Sequence, residues 1–185
     1  MMIKKILLLG SAGYVKDWYA KNGPKFLQNG FSLYAMNNAW SVDPDNLRVW
    51  MHAEDYAMIP TSIKPTDQQR QKWIEVTRWN DVPFFYTNRR GGTMLLNALC
   101  HLLNEHFRGP DQVFVAIAGA DQTYTGDPAK DYCYGKGTPD PMKFGKEFIA
   151  ESLQHIKYAS EKFGHTIVNA GGQDETLLPF ARYSL

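Results

Sequence analysis

Residues 4–13 read KKILLLGSAG: two lysines, an unbroken apolar run from Ile6 to Leu9, then Ser11 and Ala12 held between Gly10 and Gly13. A strand with one wet face alternates apolar and polar residues, whereas a run with no polar member belongs to a strand covered on both faces, as a central parallel strand is. Similar runs recur at Phe31–Met36, Leu47–Met51, Val82–Tyr86, Val113–Ala118 and Thr166–Val168, which makes about six strands.

Helical patterns lie between them. Residues 67–79 are polar with apolar positions at Trp73, Ile74, Val76 and Trp79, and residues 92–107 place Met94, Leu95, Ala98, Leu99, Leu102 and Leu103 on one stripe. From Pro141 to Phe163 the residues Phe144, Phe148, Ile149, Leu153, Ile156, Ala159 and Phe163 recur at helical spacing, and Gly164 supplies a stop. Strands alternating with helices, without repeats, predict an α/β fold. The expectation is a single-domain, Rossmann-like, mostly parallel sheet of about six strands with helices on both faces, spanning residues 1–185. In such folds ligands bind at the carboxyl ends of the strands.

Bulk properties narrow the partners. The chain has 185 residues, of which 44% are hydrophobic and 14% aromatic, enough for one good core. Twenty basic against nineteen acidic residues give a net charge of +1, so no broad field is on offer for a polyanion, and generic nucleic-acid binding is disfavoured. Cys100 and Cys133 suggest neither a disulfide scaffold nor a thiolate metal site. No apolar stretch reaches the roughly 20 residues of a membrane span. Ile6–Leu9 is also shorter than a signal-peptide core of about 7 to 15 residues. A cytoplasmic protein without a transmembrane segment is expected.

Several short stretches fall at predicted strand ends. In GSAG, main-chain N–H groups near a positive helix end suit an anionic phosphate, and a plain tight turn is the competing reading. Gly10 and Gly13 stand three apart and Lys16 is out of register, so neither the dinucleotide fingerprint nor the P-loop is matched. Asn37 and Asn38 follow the second strand, where amides can read sugar hydroxyls or a base edge, or simply form a turn. TNRRGGT (87–93) sets Arg89 and Arg90 beside Gly91 and Gly92, an anion-friendly turn in which one arginine is expected to face the site. Gly119, Ala120 and Asp121 end another strand, where Asp121 contacts a ribose, orients a base or caps a turn.

The long irregular segment 120–140 carries Tyr124, Tyr132 and Tyr134, whose hydroxyls can bond a leaving phosphate or pin the loop by packing. The five histidines show no metal-ligand spacing, so a structural zinc is disfavoured. His101, His106 and His155 fall in helices, and only His52, after a strand, is a candidate for the crevice. The DPD at 43–45 reads as a turn around proline, and no metal site is assigned.

Taken in order, these motifs resemble the bacterial sialyltransferases that modify lipooligosaccharide and the related family that includes flagellin-glycosylating motility accessory factors. The resemblance runs from about residue 4 to the C-terminus. It implies that Gly10, Ser11, Ala12 and Gly13 stand where the family's G-x-G-P-S turn holds the phosphate and sugar of a CMP-linked donor, and that Asn37 is the family's asparagine after the second strand. Gly91 and Gly92 match its serine and glycine at a helix start. Gly119, Ala120 and Asp121, with Tyr124 and Tyr132, match its G-[IV]-D and the tyrosines that steady the departing phosphate. Where the sialyltransferases carry a histidine base, this chain has YGKGTPD with Lys136. A lysine of ordinary pKa, about 10.4, is protonated at neutral pH and serves as a positive partner for phosphate rather than a base.

The resemblance therefore implies a metal-independent glycosyltransferase with a nucleotide sugar as co-substrate and no other cofactor. Tyr124, Tyr132 and Lys136 would steady the leaving group, and His52 or Asp131 would activate an unidentified acceptor. Two alternatives stand beside it. One is a nucleotide- or pterin-diphosphate transferase needing Mg²⁺ on Asp121 and Asp127, and the other is a non-catalytic nucleotide binder of the same fold. At 185 residues the chain is shorter than many members of that family, which leaves room for a homo-oligomer.

Overall fold

The computed structural model describes residues 3–54, 56–58, 62–77, 93–107, 111–123, 127, 131 and 145–185. Ile3–Leu9 forms β1, Val15–Gln28 α1, Ser32–Met36 β2 and Leu47–Met51 β3. Asp67–Arg70 is a single-turn helix, α2, followed by β4 at Ile74–Val76. Met94–Phe107 forms α3, Gln112–Ala118 β5, Lys146–Lys162 α4 and Thr166–Asn169 β6. The six strands make one sheet in the order β4-β3-β2-β1-β5-β6, and every neighbouring pair is parallel. This is the Rossmann-like α/β arrangement that the apolar runs predict.

The Ile6–Leu9 run occupies the centre, and all four side chains are fully buried. Ile6 and Leu8 point to the face covered by α3 and α4, where they meet the cluster containing Leu99, Leu102, Leu103, Ile149 and Leu153. Leu7 and Leu9 point to the other face, against Val15, Tyr19 and Phe26 of α1. Each of these side chains contributes about 1.5–3 kcal/mol by burial, which is why none of the four positions is polar. Among the described residues no helix is long and apolar enough to cross a membrane. Cys100 is buried in α3, and burial pushes its thiol up to about 12, so it packs as a small apolar side chain.

Residues 67–79 depart from the helix expected there. The helix begins with a capping box between Thr66 and Gln69 but ends at Arg70, and Ile74–Val76 instead pairs with Val49–Met51 as an edge strand. Trp73 turns inward against Trp40 and Trp50. Pairing with β3 overrides a local pattern that favours helix. The expected strand Val82–Tyr86 lies outside the described residues.

Chain direction locates the crevice. From β1 the chain steps outward through β2, β3 and β4, then returns across the sheet to place β5 on the opposite side of β1. The strand order thus reverses beside β1, and the connections that follow β1 and β5 lead to helices on opposite faces, α1 on one and α4 on the other, the topology at which open α/β sheets bind ligands.

Candidate functional site

The loop after β1 is stitched to the loop after β5. Gly10 donates its N–H to the Ala118 carbonyl at 2.8 Å, and Ala12 donates to the Gly119 carbonyl at 2.9 Å. A Cβ on Gly10 would lie 2.2 Å from the Gly119 oxygen, so glycine is required here by the closeness of two backbones. Gly119 has φ +72, and a Cβ there would meet Val15 at 2.6 Å. Gly10, expected to hold phosphate, and Gly119 of the GAD stretch thus hold the two loops together. Ser11, Ala12 and Gly13 are half-buried just before α1.

Tyr14 is the N-cap of α1 and gives it no side-chain cap. Its hydroxyl donates instead to Asp121 Oδ2 and accepts the N–H of Gly119 at 3.1 Å. The N–H groups of the first turn therefore lack a side-chain acceptor from the N-cap, at an end that carries about half a positive charge. Burial, reinforced by Asp121, holds the Tyr14 hydroxyl above its ordinary pKa. Burial also raises the Asp121 carboxyl, although the Tyr14 hydroxyl and the nearby charge of Arg182 oppose it. Asp121 lies just beyond β5, and one of its oxygens is occupied by Tyr14.

On the β2–β4 side of β1 most of the polar groups are committed to one another, Ser62 Oγ being buried without a partner. Asn37, at the end of β2, adopts a left-handed conformation with φ 47, and its carbonyl accepts the indole N–H of Trp50 at 2.8 Å. Asn38 is buried, and its Oδ1 accepts the Tyr56 hydroxyl and the Ile63 N–H, the latter at 2.7 Å. It ties both Tyr56 and Ile63 to the end of β2. His52 lies just beyond β3 with its ring 3.8 Å from that of Trp50. Its Nδ1 faces the Ala53 carbonyl at 2.8 Å and its Nε2 faces Glu75 Oε1 at 2.7 Å. Both nitrogens meet acceptors, so accepting a proton from a substrate would require one of these contacts to open. Glu75 also receives two nitrogens of Arg70, at 2.8 to 3.3 Å. Partial burial raises the Glu75 pKa, but Arg70 and His52 outweigh it and hold the carboxyl below its ordinary value. The DPD turn is also closed, with Asp43 accepting from Tyr19 at 2.7 Å and from the Asn46 side chain at 2.9 Å.

The β5–β6 side differs. Gln122 adopts φ 60, the second left-handed non-glycine residue among those described, and like Asn37 it follows the carboxyl end of a strand. Its Oε1 is buried without a partner. Asn169 ends β6 and accepts the Gly171 N–H on Oδ1 at 2.9 Å, but its Nδ2 is likewise buried and unpaired. Gly171 is packed so closely that a Cβ would lie 2.4 Å from the Tyr14 hydroxyl, 3.1 Å from Asn169 Oδ1 and 3.4 Å from Asp121 Oδ1. One small volume therefore gathers Tyr14, Asp121 and Asn169. Arg182 folds back over this loop and donates to the carbonyls of Gly171, at 2.6 Å, and Gln173. Two further unpaired buried atoms, Ser62 Oγ and His165 Nε2, lie in the loop before α2 and at the opposite edge of the sheet.

The carboxyl ends of β1 and β5 thus bring together Gly10, Ser11, Ala12, Gly13, Gly119 and Asp121, with Asn37, Asn38 and His52 along the adjoining strand ends. Arg89, Arg90, Gly91, Gly92, Tyr124, Tyr132 and Lys136 lie outside the described residues. Tyr14, Glu75, Gln122, Asn169 and Arg182 were not anticipated. For Tyr14 and Gln122 the available signal was position, directly after GSAG and GAD. Among the described residues no group of three or more His, Cys, Asp and Glu side chains could hold a metal ion. Comparison with protein-family models, curated proteins and solved structures finds no match for this chain.

Proposed function

We propose that the chain is a glycosyltransferase that takes a nucleotide-sugar donor at the carboxyl ends of β1 and β5 and works without a metal ion. The observation that carries this reading is the start of α1. Its N-cap side chain is turned away to Asp121, and the helix opens on the crevice where the strand order reverses. An anionic phosphate there would be met by main-chain N–H groups and the helix dipole. Asp17, the acidic residue of the first turn, is exposed. Asn37 and Asp121 would read the nucleoside or the sugar. Tyr124, Tyr132 and Lys136, carried over from the sialyltransferase resemblance, would steady the departing phosphate, with electrostatic stabilisation as the main catalytic device.

The test is a thermal-shift screen over CMP, UDP, GDP, ADP, NAD and their sugar conjugates, followed by a transfer and hydrolysis assay with the stabilising compound, with and without chelator. A nucleotide sugar that raises the melting temperature and is consumed with chelator present supports the reading. Tyr132→Phe should then slow turnover while leaving donor binding near wild type. Stabilisation by NAD alone would move the chain to NAD chemistry. An absolute need for Mg²⁺ with transfer of a diphosphate would move it to the diphosphotransferases, and tight binding with no turnover would make it a binding protein.

A further inference from the structure

Two buried amide atoms on the same rim are left without partners, Gln122 Oε1 after β5 and Asn169 Nδ2 at the end of β6. One is an acceptor and the other a donor. Gln122 and Asn169 are 8% and 1% exposed, so water does not compensate either residue from outside. A buried polar atom without a partner destabilises the fold, and such atoms in a native chain call for a reason. Gln122 is unfavourable twice over, because its backbone is also left-handed, a conformation that a long side chain adopts only under constraint from its surroundings. Its nitrogen has a weak contact to Ala120 O at 3.5 Å, which leaves the carbonyl as the free end. Asn169 is fixed in orientation, since its oxygen holds the Gly171 N–H and the amide edge that remains is the donor.

Strain and unpaired polar atoms concentrated at strand ends characterise binding sites more than cores. An unpaired donor and an unpaired acceptor on one rim fit a hydroxyl-bearing group, because each hydroxyl both donates and accepts. A phosphate, which offers acceptors only, would leave the Gln122 carbonyl unpaired.

We propose that Gln122 and Asn169 form a carboxamide subsite that reads the hydroxyls of the donor's sugar, on the β5–β6 side of the phosphate position at α1. The inference rests on the nucleotide-sugar reading above and names the residues that would give it sugar preference. Both amide atoms are closed off in the unliganded chain, so binding opens this rim, and the left-handed Gln122 is where the backbone gives way.

Gln122→Met separates this role from a structural one, because methionine keeps the length of the side chain and deletes the unpaired carbonyl. The ligand-free variant should melt about 2 to 4 °C higher than wild type, since a buried polar atom without a partner is removed. Titration calorimetry of wild type and variant with CMP, UDP and GDP, and with CMP-sialic acid, UDP-glucose and GDP-mannose, reads the sugar increment directly. The variant should lose about fivefold to tenfold in affinity for the preferred nucleotide sugar and bind the corresponding bare nucleotide as wild type does. Gln122→Asn, which tolerates the left-handed backbone but shortens the reach, should lose the same increment and guards against a folding defect in the first variant. If wild type binds bare nucleotide and nucleotide sugar equally, or both variants keep the sugar increment, the subsite is overturned and the nucleotide site stands. Should wild type bind neither class, the nucleotide-sugar reading fails and the subsite falls with it.

Discussion

Glu75 and Asp121 stand at the same edge of the sheet on opposite sides of β1, and their carboxyl groups are held in opposite ways. Glu75 sits between Arg70 and His52, which outweigh its partial burial and hold it ionised. Asp121 is more deeply enclosed, its main side-chain partner is the neutral Tyr14 hydroxyl, and burial raises its pKa. The surroundings follow the same division. On the Glu75 side, Asn38 Oδ1 has protein partners and both nitrogens of His52 face acceptors, with Ser62 Oγ the one unpaired buried side-chain atom among the described residues there, whereas on the Asp121 side Gln122 and Asn169 each keep one at the strand ends. A rim that satisfies itself is built to hold its own shape. A rim that does not keeps buried polar atoms at a cost to its stability.

The seam between the two sides is where the comparison breaks most readily. Gly10→Ala drives a Cβ into backbone rather than a movable side chain, so a loss of about 3 kcal/mol or more in urea unfolding is expected. A loss under about 1 kcal/mol would show that the two loops move independently. Asn38→Leu on the saturated side strips the acceptor from Ile63 N–H and should cost about 2 kcal/mol. That effect is opposite in sign to Gln122→Met across the rim. Tyr14→Phe leaves the Gly119 N–H and one Asp121 oxygen without their partner and should cost about 1 to 2 kcal/mol by the same measurement.

The smallest effects are those of titration, and they sharpen the contrast between the acids. The stability Glu75 contributes is present above its ordinary pKa of 4.5 and lost as pH falls through its lower folded value. The deficit of Glu75→Gln relative to wild type should therefore shrink in acid. Asp121 works in the other direction, favouring the fold below its ordinary value of 3.8 and less so as pH rises through its raised folded value. Asp121→Asn should accordingly gain on wild type as pH rises. Unfolding midpoints for the three proteins across the acid range check both slopes, and parallel slopes would show that the two sides are not electrostatically distinct.

Much of the sheet could be read from the chain because Ile6–Leu9 and Val113–Ala118 are too uniformly apolar for any site but a doubly covered strand. β4 was hidden because its three residues sit in a polar window that opens with a true capping box, and Ile74 on this edge strand is 58% exposed. The rim positions Asn37, His52, Gly119 and Asp121 were legible as residues that follow strands. Their partnerships were not, since Tyr14 and Asp121 are 107 residues apart, His52 and Glu75 are 23 apart, and Tyr56 and Asn38 are 18 apart. Local spacing carries no record of such pairs. Whether Asp121 faces a ribose or a tyrosine is decided by tertiary packing.

The pairing of β1 with β5 has a consequence for synthesis. Leu9 stands in register with Ala118, so one edge of the most buried strand has no partner until the ribosome has made and released β5. At ordinary elongation rates that interval is on the order of 10 seconds. The nascent chain spends it with an apolar, strand-forming ribbon open along one side, and α1, which packs on Leu7 and Leu9, covers a face of that ribbon but not its edge.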